Sequence, residues 1–465
     1  MRSKDEYLNA LNDGREVYYR GQKVRDVSKH PILSIATNHF AELYSLKDRV
    51  YFDSDVGDEV SKYFKVPRNG NDLLERHKLI YNHTLLFNGI FNIAQAIGSD
   101  AIFALMISTR KIDKEFGTSY YEKLKRFFNY VKKNDLTIAT AQTDVKGDRS
   151  KRPSEQKDKD MYVRIVEKRS DGIIVKGAKA HTTQAAVADE IIVIPTRAMT
   201  ENDKDYSVAF SVPANTKGLK MIVRPIDEVE GNSSSIVSKK DFELETLTIF
   251  DNVFVPWERV FLAGEYKYAG LIANLFATYH RFTAISYRAS MANLFLGTAS
   301  LIAKANGIQD ARHIKEDLLN IIYYKELLIM SAIASSTVPL IDEEIAIPNP
   351  LYTNIGKLYT NNHFHDVVKS LIDVAGGIIA TMPSEEDMNN AEEREYIEKY
   401  LKGAVDGKER IKILKLAKEL AASNLAGYLL TTMIHAEGSV EASKIALLRD
   451  YDLESAEKFV RRIIG

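Results

Sequence analysis

The hydrophobic period changes twice along this 465-residue chain, and that double change constrains the fold more than any single motif. A buried helix face repeats every three to four residues, whereas a half-buried strand alternates at every second residue. Residues 1–135 carry the helical period, 136–268 the period of two, and 269–465 the helical period again. The expected fold class is therefore α+β, with an N-terminal helical domain, a central β domain and a C-terminal helical bundle at those boundaries. In the first segment Asp72 is the expected N-cap of an apolar-periodic stretch, and Leu85 to Met106 suits a buried helix or helix pair. In the second, Met161 to Glu167 meets Ile173 to Val175 across Arg169-Ser170-Asp171-Gly172, an Asp-Gly hairpin signal. Glu190 to Ile194, Val208 to Val212, Lys220 to Arg224 and Leu244 to Phe250 are further strands at short spacing, which predicts a small antiparallel barrel or sandwich. In the third, a long helix begins near Ala269 and stops at Asn306-Gly307. Leu318 to Ile333, Ile355 to Val374 and Ile411 to Ala436 are further helices, and Gln142 to Lys159 and Met382 to Arg394 are polar loops.

Charge and cysteine content exclude several chemistries. The 63 basic and 64 acidic residues leave no excess to favour a nucleic-acid backbone or an anionic membrane. The chain has no cysteine, which removes disulfides, thiolate zinc sites, cysteine-ligated iron–sulfur clusters and a cysteine nucleophile. His363 and His365 lie two apart on a predicted helix and point to different faces, so no metal site is expected. The first residues are charged and lack the apolar core of a signal peptide. Leu327 to Ile341, the most apolar stretch, is interrupted by Ser and Thr and is short for a bilayer span. A cytoplasmic location is the expectation.

Two polar segments follow apolar strands. The first contains Gln142, Thr143, Asp144, Lys146 and Arg149; the second contains Lys179, His181, Thr182 and Thr183. Loops of this composition are common turns, yet two of them leaving one end of a β domain can grip a polar heteroaromatic ring. The first resembles the flavin-contacting strand end of acyl-CoA dehydrogenases, and the second their lysine-containing stretch beside the flavin. Leu247 to Pro256 is similar to the strand by which that superfamily leaves its β domain.

The likeness sharpens toward one branch. Thr143-Asp144-Val145-Lys146-Gly147-Asp148-Arg149, Gly177-Ala178-Lys179-Ala180-His181, Asp373-Val374-Ala375-Gly376-Gly377, Thr381-Met382-Pro383-Ser384-Glu385 and Met433-Ile434-His435-Ala436-Glu437-Gly438-Ser439 resemble the 4-hydroxybutyryl-CoA dehydratase family in order and over nearly the whole chain. The related 4-hydroxyphenylacetate 3-hydroxylases carry a histidine, proline and glutamine after the first-loop threonine, where this chain has Asp144 and Lys146. The resemblance implies an acyl-CoA dehydrogenase-like fold with a central antiparallel β-barrel, FAD as cofactor, an acyl-CoA substrate, and a homodimer or homotetramer. It places Gly376 and Gly377 beside the FAD of a neighbouring subunit. It also implies His280 and Glu245 as acid–base groups, with Arg288 holding the thioester or a phosphate. The family's cluster cysteines fall at Asn92, Ala96 and Tyr287, and two of its flanking acid–base positions at Ala284 and Thr432. The retained groups suit proton transfer better than hydroxide expulsion. The expected activity is thus vinylacetyl-CoA isomerase or dehydratase-like chemistry without the cluster. A reduced-flavin phenol monooxygenase and a non-catalytic paralogue subunit are the alternatives.

Overall fold

The computed structural model describes residues 1–229, 235–240 and 242–465. The first segment contains helices Lys4–Ala10, Leu33–Glu42, Gly70–Leu86, Ala96–Phe116 and Tyr120–Asn134, together with four short strands. Ala96–Phe116 is apolar almost all round and is accordingly buried along most of its length. Asp72 is not the N-cap of its helix. Asn69 caps it by accepting from the Asp72 N–H, and the Asp72 carboxylate instead accepts from the Arg68 N–H at 2.8 Å. The apolar stretch from Leu85 is also broken, because the chain turns through Asn88 and Gly89, both at positive φ, before the next helix begins at Ala96.

The central strands form two sheets. The six-stranded sheet runs in the order Gln22–Val24, Glu16–Tyr19, Leu219–Val223, Glu245–Pro256, Gly172–Thr183, Arg164–Lys168. The four-stranded sheet runs Val260–Ala263, Val208–Pro213, Glu190–Val193, Ile138–Ala141. Phe210 of one sheet meets Phe250 of the other edge-on, at 5.6 Å between ring centroids. The expected antiparallel barrel is corrected on two points. Among the described residues the sheets do not close, and Glu16–Tyr19 with Leu219–Val223 and Ile138–Ala141 with Glu190–Val193 pair in parallel. Parallel pairing needs a long crossover, which alternation along one strand does not reveal. The Arg169–Gly172 hairpin forms, closed by Arg169 N–H to Gly172 O at 2.8 Å.

Helices Ala269–Ala305, Arg312–Thr337 and Pro350–Ala375 pack on one another, and Gly407–Ala421, Asn424–His435 and Val440–Asp450 pack against them. The expected single helix from Ile411 to Ala436 is two, because Ser423 caps a new helix through the Leu425 and Ala426 N–H groups. The polar stretch after Met382 is helical too, over Glu385–Asn389 and Ala391–Tyr400. Arg312–Thr337 is long and apolar enough by length and composition to cross a membrane, and the stretch Leu327 to Ile341 runs past its C-terminal end. Here the helix packs against two bundle helices and leaves Tyr323, Leu327, Met330 and Ile333 exposed. One apolar core joins the first segment to both sheets, and a second fills the bundle. The helix Ala269–Ala305 contributes to both, so its polar residues lie where the two cores meet.

Candidate active site

The two polar loops are brought together. Asp144 and Lys179 form an antiparallel bridge, and the Ala180 N–H donates to Thr143 O at 2.9 Å. The Lys179 ammonium is buried and donates to Gln142 O at 2.7 Å, Asp144 Oδ1 at 2.7 Å and Ile194 O at 3.0 Å. Three donors thus meet three acceptors, so Lys179 ties the loops to each other and its charge is not free for a ligand. Gln142 and Thr143 are half-buried, while Lys146 and Arg149 are exposed. His181 is exposed at φ 53°. Thr182 is buried, and its Oγ1 has no hydrogen-bond partner. Gly376, at φ 77°, ends the helix Pro350–Ala375, and the turn it begins with Gly377 packs on that helix and on Gly407–Ala421.

From the second loop the site continues inward. Thr183 Oγ1 donates to Glu245 Oε1 at 2.9 Å, and Tyr428 Oη lies 3.3 Å from the same oxygen. Glu245 Oε2 is closed off with no partner. Burial raises the Glu245 pKa, opposed by the Thr183 hydrogen bond, the Arg224 charge and the Tyr428 hydrogen bond, and the Glu437 charge raises it further. Arg224 sits over the Tyr428 ring at 4.1 Å from its centroid.

Glu437 is the centre of the deeper part. The chain reaches it in a left-handed conformation, φ 55°, just past helix Asn424–His435. Its Oε1 accepts from Tyr287 Oη at 2.7 Å, and its Oε2 pairs with Arg288 and with Lys357 Nζ, the latter at 3.5 Å. Its backbone carbonyl accepts from Arg281 Nε at 3.0 Å. The next residue, Gly438, has φ 93°, a conformation that L side chains rarely adopt. Although burial opposes ionisation, the cations around it hold Glu437 at a pKa of about 2. Lys357 is wholly buried, and although Glu437 favours its charge, burial and then the Arg288 charge push its pKa down to about 7.

His280 lies beside this network. Its ring stacks on Phe276 at 5.1 Å, and its Nδ1 is 3.9 Å from Asp100 Oδ2 without a hydrogen-bond partner. Burial lowers its pKa, against the charges of Glu437 and Asp100, so the imidazole is neutral near pH 7. Its side chain keeps 16% of its surface open. Asp100 is anchored from behind by Arg76 at 2.7 Å and Thr283 Oγ1 at 2.9 Å. The negative charge of Glu437 favours the protonated form of both Glu245 and His280. Arg288 is corrected: it is fully buried, and its guanidinium is engaged by Glu437, Thr360, Met433 O and Tyr287, so it holds Glu437 and presents no donor to a thioester or phosphate.

At the three positions expected for cluster cysteines, Asn92 Nδ2 donates to His39 O at 2.7 Å, Ala96 opens a buried helix, and Tyr287 stacks flat on Phe91 at 4.7 Å. Among the described residues no group of three or more His, Asp or Glu is placed to hold a metal ion. Sequence reading missed Glu437, Lys357, Tyr428 and Asp100 as site residues. Glu437 stood inside a quoted C-terminal motif. Lys357 belonged to a polar stripe of Thr353, Lys357, Thr360 and Asn361, which looks like a solvated face and is buried.

Residues 3–262 match the family described as 4-hydroxyphenylacetate 3-hydroxylase N terminal, and residues 269–465 its C-terminal counterpart. The chain is 31% identical to 4-hydroxybutyryl-CoA dehydratase/vinylacetyl-CoA-Delta-isomerase of Clostridium aminobutyricum, over 100% of this chain and 99% of that protein. It is 25% identical to the 4-hydroxyphenylacetate 3-monooxygenase oxygenase component of a Geobacillus strain, over 99% and 95%. Its structure is similar to an oxygen-tolerant archaeal 4-hydroxybutyryl-CoA dehydratase from N. maritimus, with a TM-score of 0.93 at 30% identity over 100% of this chain and 95% of that one. It shares its fold with the FAD complex of a 4-hydroxyphenylacetate 3-monooxygenase oxygenase component, with a TM-score of 0.91 at 23% identity over 100% and 98%. The chain belongs to the family that unites 4-hydroxyphenylacetate 3-hydroxylase and 4-hydroxybutyryl-CoA dehydratase.

Proposed function

We propose that this protein is an FAD-binding enzyme that moves a double bond within a short-chain acyl-CoA, as in the conversion of a vinylacetyl to a crotonyl thioester. The observation that carries this reading is a pair of half-buried groups with opposite tendencies: a neutral His280 with an unpartnered Nδ1, and a Glu245 carboxyl biased toward its protonated form. The thioester acidifies the α-carbon. His280 takes the α-proton, Glu245 delivers a proton to the γ-carbon, and the double bond shifts between them. Glu437, held by Arg288, Lys357 and Tyr287, stabilises the imidazolium that forms. Full-length likeness to a dehydratase/isomerase supports the same substrate class.

A flavin fits the residues at the loop pair. Thr182 Oγ1 and Asp144 Oδ2 are buried and unpartnered there, beside the half-buried Gln142 and Thr143 and the exposed His181, Lys146 and Arg149. When bound, the flavin would supply redox capacity next to the acyl chain. Lys179 and Thr183 would shape its seat, and Gly376 and Gly377 would approach the flavin of a neighbouring subunit in a homodimer or homotetramer. A four-iron cluster held by cysteines does not fit, since Asn92, Ala96 and Tyr287 carry no thiolate and are packed or bonded within the protein. The reading places the enzyme in the cytoplasm, with residues 1–135, 136–268 and 269–465 as its domains.

The test is to load the purified protein with FAD and compare initial rates on vinylacetyl-CoA and 4-hydroxybutyryl-CoA. Isomerisation should exceed dehydration. No turnover of either ester, with hydroxylation of 4-hydroxyphenylacetate when reduced FAD and oxygen are supplied, would overturn the reading in favour of the phenol monooxygenases to which the chain is also similar.

A further inference from the structure

Glu245 must regain a proton after each turnover, and the surrounding geometry supplies a route. Glu243 lies just before strand Glu245–Pro256 and Glu245 opens it, and both carboxyls reach the Tyr428 hydroxyl. Tyr428, from helix Asn424–His435, places its single hydroxyl between them: Oη is 2.9 Å from Glu243 Oε2 and 3.3 Å from Glu245 Oε1. A tyrosine has one proton to donate and lone pairs to accept with. Donating to the nearer Glu243, it can satisfy Glu245 only by accepting, which requires Glu245 to carry the proton. Thr183 Oγ1 already donates to Glu245 Oε1, and Glu245 Oε2 has no donor at all, an arrangement poor for a carboxylate and tolerable for a neutral acid.

We propose that Glu243, Tyr428 and Glu245 form a proton-return relay, in which Tyr428 and Glu243 are positioning residues that keep Glu245 protonated between turnovers. This rests on the acid role of Glu245 given above. The balance is direct. After Glu245 has given its proton to the γ-carbon, half-buried Glu243 takes one from water. The Glu243 O–H bond then breaks as an O–H bond forms at Tyr428 Oη. The original Tyr428 O–H bond breaks as one forms at Glu245 Oε1. The groups facing the relay are consistent with this order. Arg224 lies over the Tyr428 ring, bound in turn by both oxygens of Glu228 at 2.7 and 3.1 Å and by Glu243 O at 3.0 Å. Glu437 adds negative charge from the His280 side, which disfavours a second carboxylate. Desolvation of the Tyr428 phenol, with the two glutamates beside it, keeps the phenol protonated at rest.

The test does not depend on turnover. Infrared difference spectra between the wild type and Glu245→Gln isolate the Glu245 carboxyl band as a function of pH and of exchange into heavy water. At pH 7 the wild type should show a protonated Glu245. Glu243→Gln should lower the pH at which that band disappears by about one unit or more, because the like charge is gone. Tyr428→Phe should keep the band but slow its exchange with solvent deuterium. Circular dichroism establishes that each variant is folded; if Tyr428→Phe is not, Glu243→Gln decides. An ionised Glu245 at pH 7 in the wild type, or a band whose pH dependence is the same in Glu243→Gln, would overturn the relay. An intact relay in a protein that turns over neither CoA ester would instead count against the isomerase reading alone.

Discussion

Two buried charge clusters in this molecule are built to opposite ends. Around Asp135, Arg49 donates from Nη1 at 3.0 Å and from Nη2 at 2.7 Å, Gln95 Nε2 adds a bond at 2.8 Å, and the Arg2 N–H one at 3.2 Å. Both carboxylate oxygens are satisfied from within the chain, and the cluster joins the N-terminus, a turn and two helices. Around Glu437 the charges are just as deep; both clusters leave buried atoms without partners, Arg49 Nε and Gln95 Oε1 in the first and His280 Nδ1 and Glu245 Oε2 beside the second, and the second has a partly open imidazole at its margin. The first arrangement is what a buried ion pair needs in order to hold a fold together. The second adds shifted pKa values and a partly open imidazole, which is what proton transfer requires.

Breaking the first cluster should have the largest effect on stability. Arg49→Ala would strand Asp135 in the core and cost about 3–5 kcal/mol in denaturant unfolding, while the folded fraction keeps its specific activity. If activity per folded molecule fell instead, the division between the clusters would fail. His280→Ala should show the converse, a loss of isomerisation by about a hundred-fold with little change in the unfolding midpoint, read from paired kinetics and melting curves.

A smaller, pH-dependent effect sharpens the contrast. Lys357 keeps its proton up to about pH 10.5 when unfolded but releases it near pH 7 when folded. Between those values the unfolded chain binds more protons, so stability rises with pH; below about pH 7 both states are protonated and the contribution is flat. Wild type should therefore gain stability relative to Lys357→Met as pH is raised from neutral toward 10, and parallel profiles would contradict the burial of a charge-averse lysine. The smallest effect is expected at a surface pair. Arg312 is 94% exposed on the side chain and bonded to Glu316, and Arg312→Ala should leave unfolding unchanged.

What the sequence made legible follows from range. The Arg169–Gly172 hairpin, the helix beginning at Ala269 and its stop at Asn306-Gly307 are local signals, and each stands in the structure. Strand partners are not local: nothing in Glu16–Tyr19 indicates that it pairs with Leu219–Val223. The charge-rich stretch after Ser384 looked like a loop because its helices expose most of their surface. In the site, the two loops stood out because each is contiguous. Lys357 did not, since a buried polar stripe and a solvated one have the same spacing. Arg288 was misjudged for the same reason: sequence shows a cation, and only packing shows that Glu437 already holds it.

The account turns on whether this protein moves protons at an acyl thioester. The most direct measurement is isomerisation of vinylacetyl-CoA by the FAD-loaded protein in heavy water, with the position of deuterium in the product read by mass spectrometry and NMR. The account predicts crotonyl-CoA carrying deuterium at the γ-carbon, and little product from His280→Ala. Absence of product, or product formed at the same rate by wild type and His280→Ala, would contradict it.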